Sequence, residues 1–160
     1  MKFRHELSYD APPDRVFAML ADPEFRRRSC EAMEVVSADV QLEPGPDGGF
    51  SLVIDQLQNT RGLPAFARTF AGESTQAVQR EEWRSTSVGE LSIESPGKPA
   101  SARGTIRLEP RGGGTTEVVE LDIKVKVPLI GGKLEKLMAE KVAAGMDAEQ
   151  AVGVAWLEEH

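Results

Sequence analysis

One cysteine and two histidines are all that this 160-residue chain holds of the side chains that most often ligate metals or act as bases. Cys30 has no intramolecular partner, so no internal disulfide forms and a reducing cytoplasm is the expected home. A serine or cysteine triad would have to take His5 as its base, because His160 stands at the very end. The same scarcity excludes zinc sites built from nitrogen and sulfur, as well as two-histidine iron sites, so no metal and no cofactor are expected. Positive charge is also in the minority. A net charge of −7 and a pI near 5.0 leave no basic stripe for a nucleic-acid backbone, and solubility is the simpler meaning of the excess acid. Long apolar runs are missing too. The opening MKFRHELSYD is charged where a secretory leader needs an apolar stretch, and nowhere do the roughly 18 apolar residues of a membrane span occur together. Membrane contact is at most peripheral.

What is present is alternation. Phe3, His5, Leu7 and Tyr9 share one parity and Lys2, Arg4, Glu6 and Ser8 the other, which predicts a strand. Asp10 and the Pro12-Pro13 pair stop it and open a helix with Val16, Phe17 and Leu20 on one stripe. A second short helix begins after Asp22-Pro23 and ends near Cys30. Val36, Ala38, Val40 and Leu42, then the hairpin residues Pro44 to Gly49, then Phe50, Leu52 and Ile54 predict a strand, a turn and a strand. Phe66, Arg68 and Phe70 at even spacing predict a further strand, followed by one over Thr75 to Arg84 and a short one at Leu91 and Ile93. Turns at Pro96 to Pro99 and at Pro110 to Gly114 bracket the clean alternation of Ala102, Gly104, Ile106 and Leu108. The strongest strand follows, with Val119, Leu121, Ile123, Val125 and Val127 opposed to Glu120, Asp122, Lys124 and Lys126. From Ile130 onward Leu134, Leu137, Met138, Val142, Met146, Val152 and Trp156 recur at helical spacing. No repeat or linker divides the chain, so residues 1–160 are expected to form one α+β domain. A single long helix laid across an antiparallel sheet encloses a space, so the pattern predicts a container before it predicts a catalyst.

The order of strand, two short helices, antiparallel strands and one long C-terminal helix resembles the helix-grip fold of the START-like superfamily. The segment HELSYDAPPDRVFAMLADPEF is similar to that superfamily's opening strand, proline-containing turn and first helix ending in an Asp-Pro step before an aromatic. Within it the chain is most similar to a branch defined only as a domain of unknown function. The resemblance implies a curved sheet of about seven strands and a cavity between sheet and helix used for lipids, sterols, polyketides or other hydrophobic molecules. It leaves the ligand and the oligomeric state open.

Candidate pocket residues follow from the inward parity of the sheet, namely Phe50, Leu52, Ile54, Phe66, Arg68, Phe70, Trp83, Leu91, Ile93, Ile106, Leu121 and Ile123. Leu134, Met138, Val142 and Met146 join them from the helix. Arg68 between two phenylalanines would suit an anionic head group on an apolar tail, and otherwise is a surface arginine. Glu81 beside Trp83 would act as a general acid in a dry cavity, or else face solvent. His5 is a polar anchor or a core histidine. The run Arg26-Arg27-Arg28 reads as a solvated helix end, and Ala143-Ala144-Gly145 either packs closely on the sheet or leaves volume for a ligand. The glycine clusters read as turns, not phosphate loops. Binding of a small hydrophobic molecule without catalysis is the leading expectation. A small cyclase, dehydratase or hydrolase using His5, Glu81 and Arg68, and an interaction module with a solid interior, are the alternatives.

Overall fold

The computed structural model describes residues 1–160. In chain order the elements are β1 (Lys2–Tyr9), α1 (Pro13–Leu20), α2 (Pro23–Ala32), β2 (Ser37–Pro44), β3 (Phe50–Asn59) and α3 (Ala65–Ala71). Then come β4 (Ser74–Trp83), β5 (Val88–Glu94), β6 (Ala100–Arg111), β7 (Gly114–Val125) and α4 (Gly131–Glu159). All seven strands join one curved antiparallel sheet in the order β1-β7-β6-β5-β4-β3-β2. The first strand pairs with the last, from Lys2 opposite Asp122 to Tyr9 opposite Thr115. Period-two alternation then puts Leu7, Tyr9, Leu52, Ile54, Leu91, Ile106, Leu121 and Ile123 on the buried concave face. Asp22 caps α2 by accepting from the Glu24 amide at 2.9 Å, with Pro23 in the first turn.

One expected strand is a helix. Phe66, Arg68 and Phe70 lie in α3, between β3 and β4. Residues four apart share a face in both a strand and a helix, so Phe66 and Phe70 fit either period, whereas Arg68 midway between them is carried to another side and is exposed. Pro64 at the N-cap and Gly72 at the C-cap, with φ of 82°, fix the two ends of this short helix.

The long helix does two jobs. Its rear half packs tightly, since Trp156 meets Phe25 edge-on at 5.8 Å and a Cβ on Gly153 would lie 2.7 Å from Tyr9 Cε1. Beneath it Phe17, Phe50 and Trp83 form a mutual aromatic cluster with centroids 5.5 to 5.7 Å apart. That end of the molecule is solid. The front half, from Leu134 to Glu149, stands off the sheet and meets α3 in a small separate cluster around Ala67, Val125 and Leu134.

Gly104 is a fixed point of the sheet. A Cβ there would sit 1.8 Å from the backbone oxygen of Glu120, so β6 can keep its pairing with β7 only without a side chain. Gly104→Ala should therefore destabilise by about 2–4 kcal/mol, while Gly132→Ala, with nothing within 4 Å of the new Cβ, should be near neutral. Equal urea midpoints for the two variants would contradict this reading.

Candidate functional site

Between the concave face and the front half of α4 lies a cavity of about 510 Å³. Leu91 and Ile93 of β5, Ile106 of β6 and Val119 of β7 form its floor, and Leu134, Met138, Val142 and Met146 its roof. Leu63, Ala67 and Phe70 close one flank through α3. Lys98, in the turn before β6, donates to the carbonyl of Ala71 and lies 5.9 Å from the Phe70 ring centroid, which ties α3 to that turn. Ala144, Gly145 and Ala148 line the roof, so the small residues of α4 do leave volume, while close backbone packing is the property of Gly153 instead.

The two ends of the cavity differ in chemistry. Asn59, Glu94, Ser95 and Lys141 rim the outer end and reach solvent. The inner end is closed by Leu7, Glu81, Glu117 and Glu149, where it abuts the solid core. Behind those acids stands Arg26, only 1% exposed. Its Nη1 and Nη2 donate to the two oxygens of Glu81 at 3.0 and 2.9 Å, and its Nε donates to the carbonyl of Leu20 at 2.8 Å. Glu81, 2% exposed, also accepts from Trp83 Nε1 at 2.9 Å and Gln79 Nε2 at 2.7 Å. Four donors satisfy the Glu81 carboxylate, while Arg26 gives three of its N–H groups to Glu81 and the Leu20 carbonyl. Trp83 is itself held over Gly89, where a Cβ would meet the indole at 2.7 Å.

Two acids have no such partners. Glu149 of α4 comes within 3.7 Å of Arg26 Nη1, and Glu117 of β7, 3% exposed, has an Oε2 with no hydrogen-bond partner. Burial, with repulsion from Glu149 and Glu81 added and Arg26 only partly opposing, drives the Glu117 carboxyl well above the ordinary range. Glu149 is raised chiefly by burial, with Arg26 opposing and Glu81 reinforcing. Burial also raises the Tyr9 hydroxyl, helped by Glu117 and Glu149, and its oxygen too lacks a partner. Arg26 is raised as well, which for a cation means that its charged form is favoured. Desolvation works against its charge, but Glu81, Glu149 and Glu117 outweigh that and hold the guanidinium protonated. Three carboxyl groups thus face one cation, whose charge is already paired with Glu81.

A family model described as a protein of unknown function (DUF2505) matches residues 4–157. The chain belongs to that family. An uncharacterized protein of Mycobacterium tuberculosis is 29% identical to this DUF2505 member over 122 residues, 72% of this chain and 70% of the relative. Among solved structures, a START superfamily protein from Mycobacterium smegmatis superposes with a TM-score of 0.62 at 16% identity, covering 98% of both chains. The di-domain ARO/CYC StfQ from the steffimycin biosynthetic pathway superposes with a TM-score of 0.69 at 14% identity, over 99% of this chain and 50% of its own. At such identities the likeness establishes the START-like helix-grip fold.

Within the DUF2505 chain the expected pocket residues divide into three groups. Phe70, Leu91, Ile93, Ile106, Leu134, Met138, Val142 and Met146 line the cavity. Phe50, Leu52, Ile54, Trp83, Leu121 and Ile123 share the concave face but belong to the filled core. Phe66 and Arg68 fall outside, Phe66 under Lys133 at 5.9 Å and Arg68 on the surface, because α3 is a helix. His5 pairs with Asp147 at 2.7 Å on the β1 edge, so His5, Glu81 and Arg68 do not converge on one site. Arg26 corrects the reading of its run as a solvated helix end, since only Arg27 and Arg28 are exposed while Arg26 lies on the inner face of α2. Glu117 and Glu149 were unforeseen, although both carry a signal. Glu117 shares the parity of Val119 and Leu121, and Glu149 lies seven residues after Val142 on the inward stripe of α4.

Proposed function

We propose that this protein binds, and carries through the cytoplasm, a small and largely apolar molecule held between the sheet and the front half of α4. The observation behind this reading is that aliphatic walls surround an unfilled 510 Å³ at a place where Ala144, Gly145 and Ala148 supply no bulk to fill it. A packed interior of the ordinary kind leaves few voids larger than a water molecule. Burial of apolar ligand surface at about 25 cal/mol per Å² would supply the affinity. The buried, unpaired Cys30 accords with a reducing compartment. A ligand would enter on the α3 side, where Leu63, Phe70 and the Lys98 turn meet, through displacement of that short helix.

Native mass spectrometry of protein purified gently from its own host should show a stoichiometric small molecule released on denaturation. In Val142→Trp the indole would occupy the roof of the cavity, and that mass should disappear while the fold persists by circular dichroism. Retention of the ligand in Val142→Trp would place it elsewhere and remove this function. The alternative of an interaction module is favoured by a solid interior, and the open front half of this interior supports the ligand-binding reading over it.

A further inference from the structure

We propose that Glu117 is the polar anchor of the cavity's inner end, selecting an apolar ligand that carries a neutral oxygen, such as an alcohol or a carbonyl, and rejecting one that carries a carboxylate. This rests on the ligand-binding reading above and adds the head-group class to it.

The geometry narrows the chemistry in three steps. First, an anion finds no free positive charge here, because Arg26 already neutralises Glu81 through Nη1 and Nη2, gives its Nε to the Leu20 carbonyl and has Glu149 at 3.7 Å from Nη1. A ligand carboxylate at this end would instead meet Glu117 and Glu149 in a dry site where like charges repel strongly. Second, Glu117 and Glu149 both keep hydrogen-bonding capacity, but Glu149 leans toward Arg26 at 3.7 Å and Glu117 has no cation at that distance. It lines the cavity, is buried, and its Oε2 is unpartnered, at a position where an unmade hydrogen bond carries the full cost of desolvation. The terminal carboxyl torsion is broad and roughly two-fold, so either oxygen can be turned toward a ligand. Third, the environment favours the neutral acid. Burial and the neighbouring Glu149 and Glu81 raise the Glu117 carboxyl and favour its protonated form, which can donate to a ligand oxygen and accept from a ligand hydroxyl. An ammonium head would need Glu117 to surrender that proton and would have to shed its own hydration in the same step.

The test compares octanol, octanoate, octylamine and chlorooctane on the full chain at neutral pH by calorimetric titration, in the wild type and in Glu117→Leu and Glu117→Gln. Octanol should bind at least about tenfold more tightly than octanoate, and Glu117→Leu should weaken octanol about tenfold, the loss of one buried hydrogen bond. Chlorooctane should bind both proteins alike, which shows that the Leu variant is folded, and Glu117→Gln, whose amide still donates, should keep most of the affinity for octanol. Octanoate binding as tightly as octanol would overturn the proposal, as would octylamine binding most tightly of the four with loss of that binding in Glu117→Leu. Affinity that ignores the head group removes the anchor and leaves the cavity reading standing. Failure of all four probes to bind removes both.

Discussion

Arg26→Ala is expected to cost about 3–5 kcal/mol, the range for breaking a buried ion pair by removing one partner. The guanidinium is the only cation in contact with Glu81, and the truncation would also leave the Leu20 carbonyl without its donor. Glu81 would keep Trp83 and Gln79 but would sit as an uncompensated charge beside Glu117 and Glu149. A whole domain is worth only about 5–15 kcal/mol, so the variant should be near the edge of folding. Arg27→Ala and Arg28→Ala provide the contrast. Their ion pairs, to Glu24 and Glu159, are exposed, and such pairs contribute from nothing to about 1 kcal/mol. Replacing both members at once, as Arg26→Met with Glu81→Leu, should recover part of the loss, because no charge is stranded although the Leu20 carbonyl, Trp83 Nε1 and Gln79 Nε2 lose their partners. Urea unfolding of the four variants against the wild type measures these differences. If Arg26→Ala costs no more than Arg27→Ala, the buried pair is not what holds α2 against the sheet.

The fold was largely legible because its signals are periodic and long. The twelve residues of β7 and the twenty-nine of α4 repeat their apolar spacing often enough that one charged exception does not hide the pattern. Helix α3 was not legible from parity, since seven residues carry too few repeats to separate a period of two from one of 3.6. Its markers were Pro64 and Gly72, which frame a short helix as readily as they frame a loop. The candidate site was legible in its apolar half only. Leu91, Met138 and Val142 look like lining residues because they look like core residues, and the division between filled core and open cavity depends on where α4 stands away from the sheet. The polar half was hidden for a different reason. A buried acid at an inward position resembles an interruption of the pattern, and Arg26 in a row of three arginines has nothing in its own sequence to mark it as the inward one. What selects it is the helical rotation that turns it toward Glu81 on β4, a contact 55 residues away.

Stability should fall as pH rises from mildly acidic to alkaline, and Glu117→Gln should flatten that fall. The sign follows from which state holds the proton more tightly. In the unfolded chain Glu117 titrates near its ordinary value of 4.5, whereas in the fold it titrates well above that. Between the two values the native state binds more protons than the unfolded state, so unfolding free energy decreases with pH through that window and levels off above the folded value. Glu149, raised in the same sense, adds to the slope. The groups that face this site are Tyr9 from β1, Arg26 and Cys30 from α2, Glu81 from β4 and Glu149 from α4. The first and third of these remain neutral through the window, because burial raises both the Tyr9 hydroxyl and the Cys30 thiol. Arg26 remains charged throughout. The slope therefore belongs to Glu117 and Glu149. A glutamine at 117 has the volume of the protonated acid and cannot ionise, so the variant should lose less stability than the wild type as pH rises from about 5 to about 8. Thermal or urea unfolding at both pH values, in low salt, gives the comparison directly. Parallel curves for the two proteins would mean that Glu117 is already ionised at neutral pH, and with it the proton that the cavity offers to a ligand would be gone.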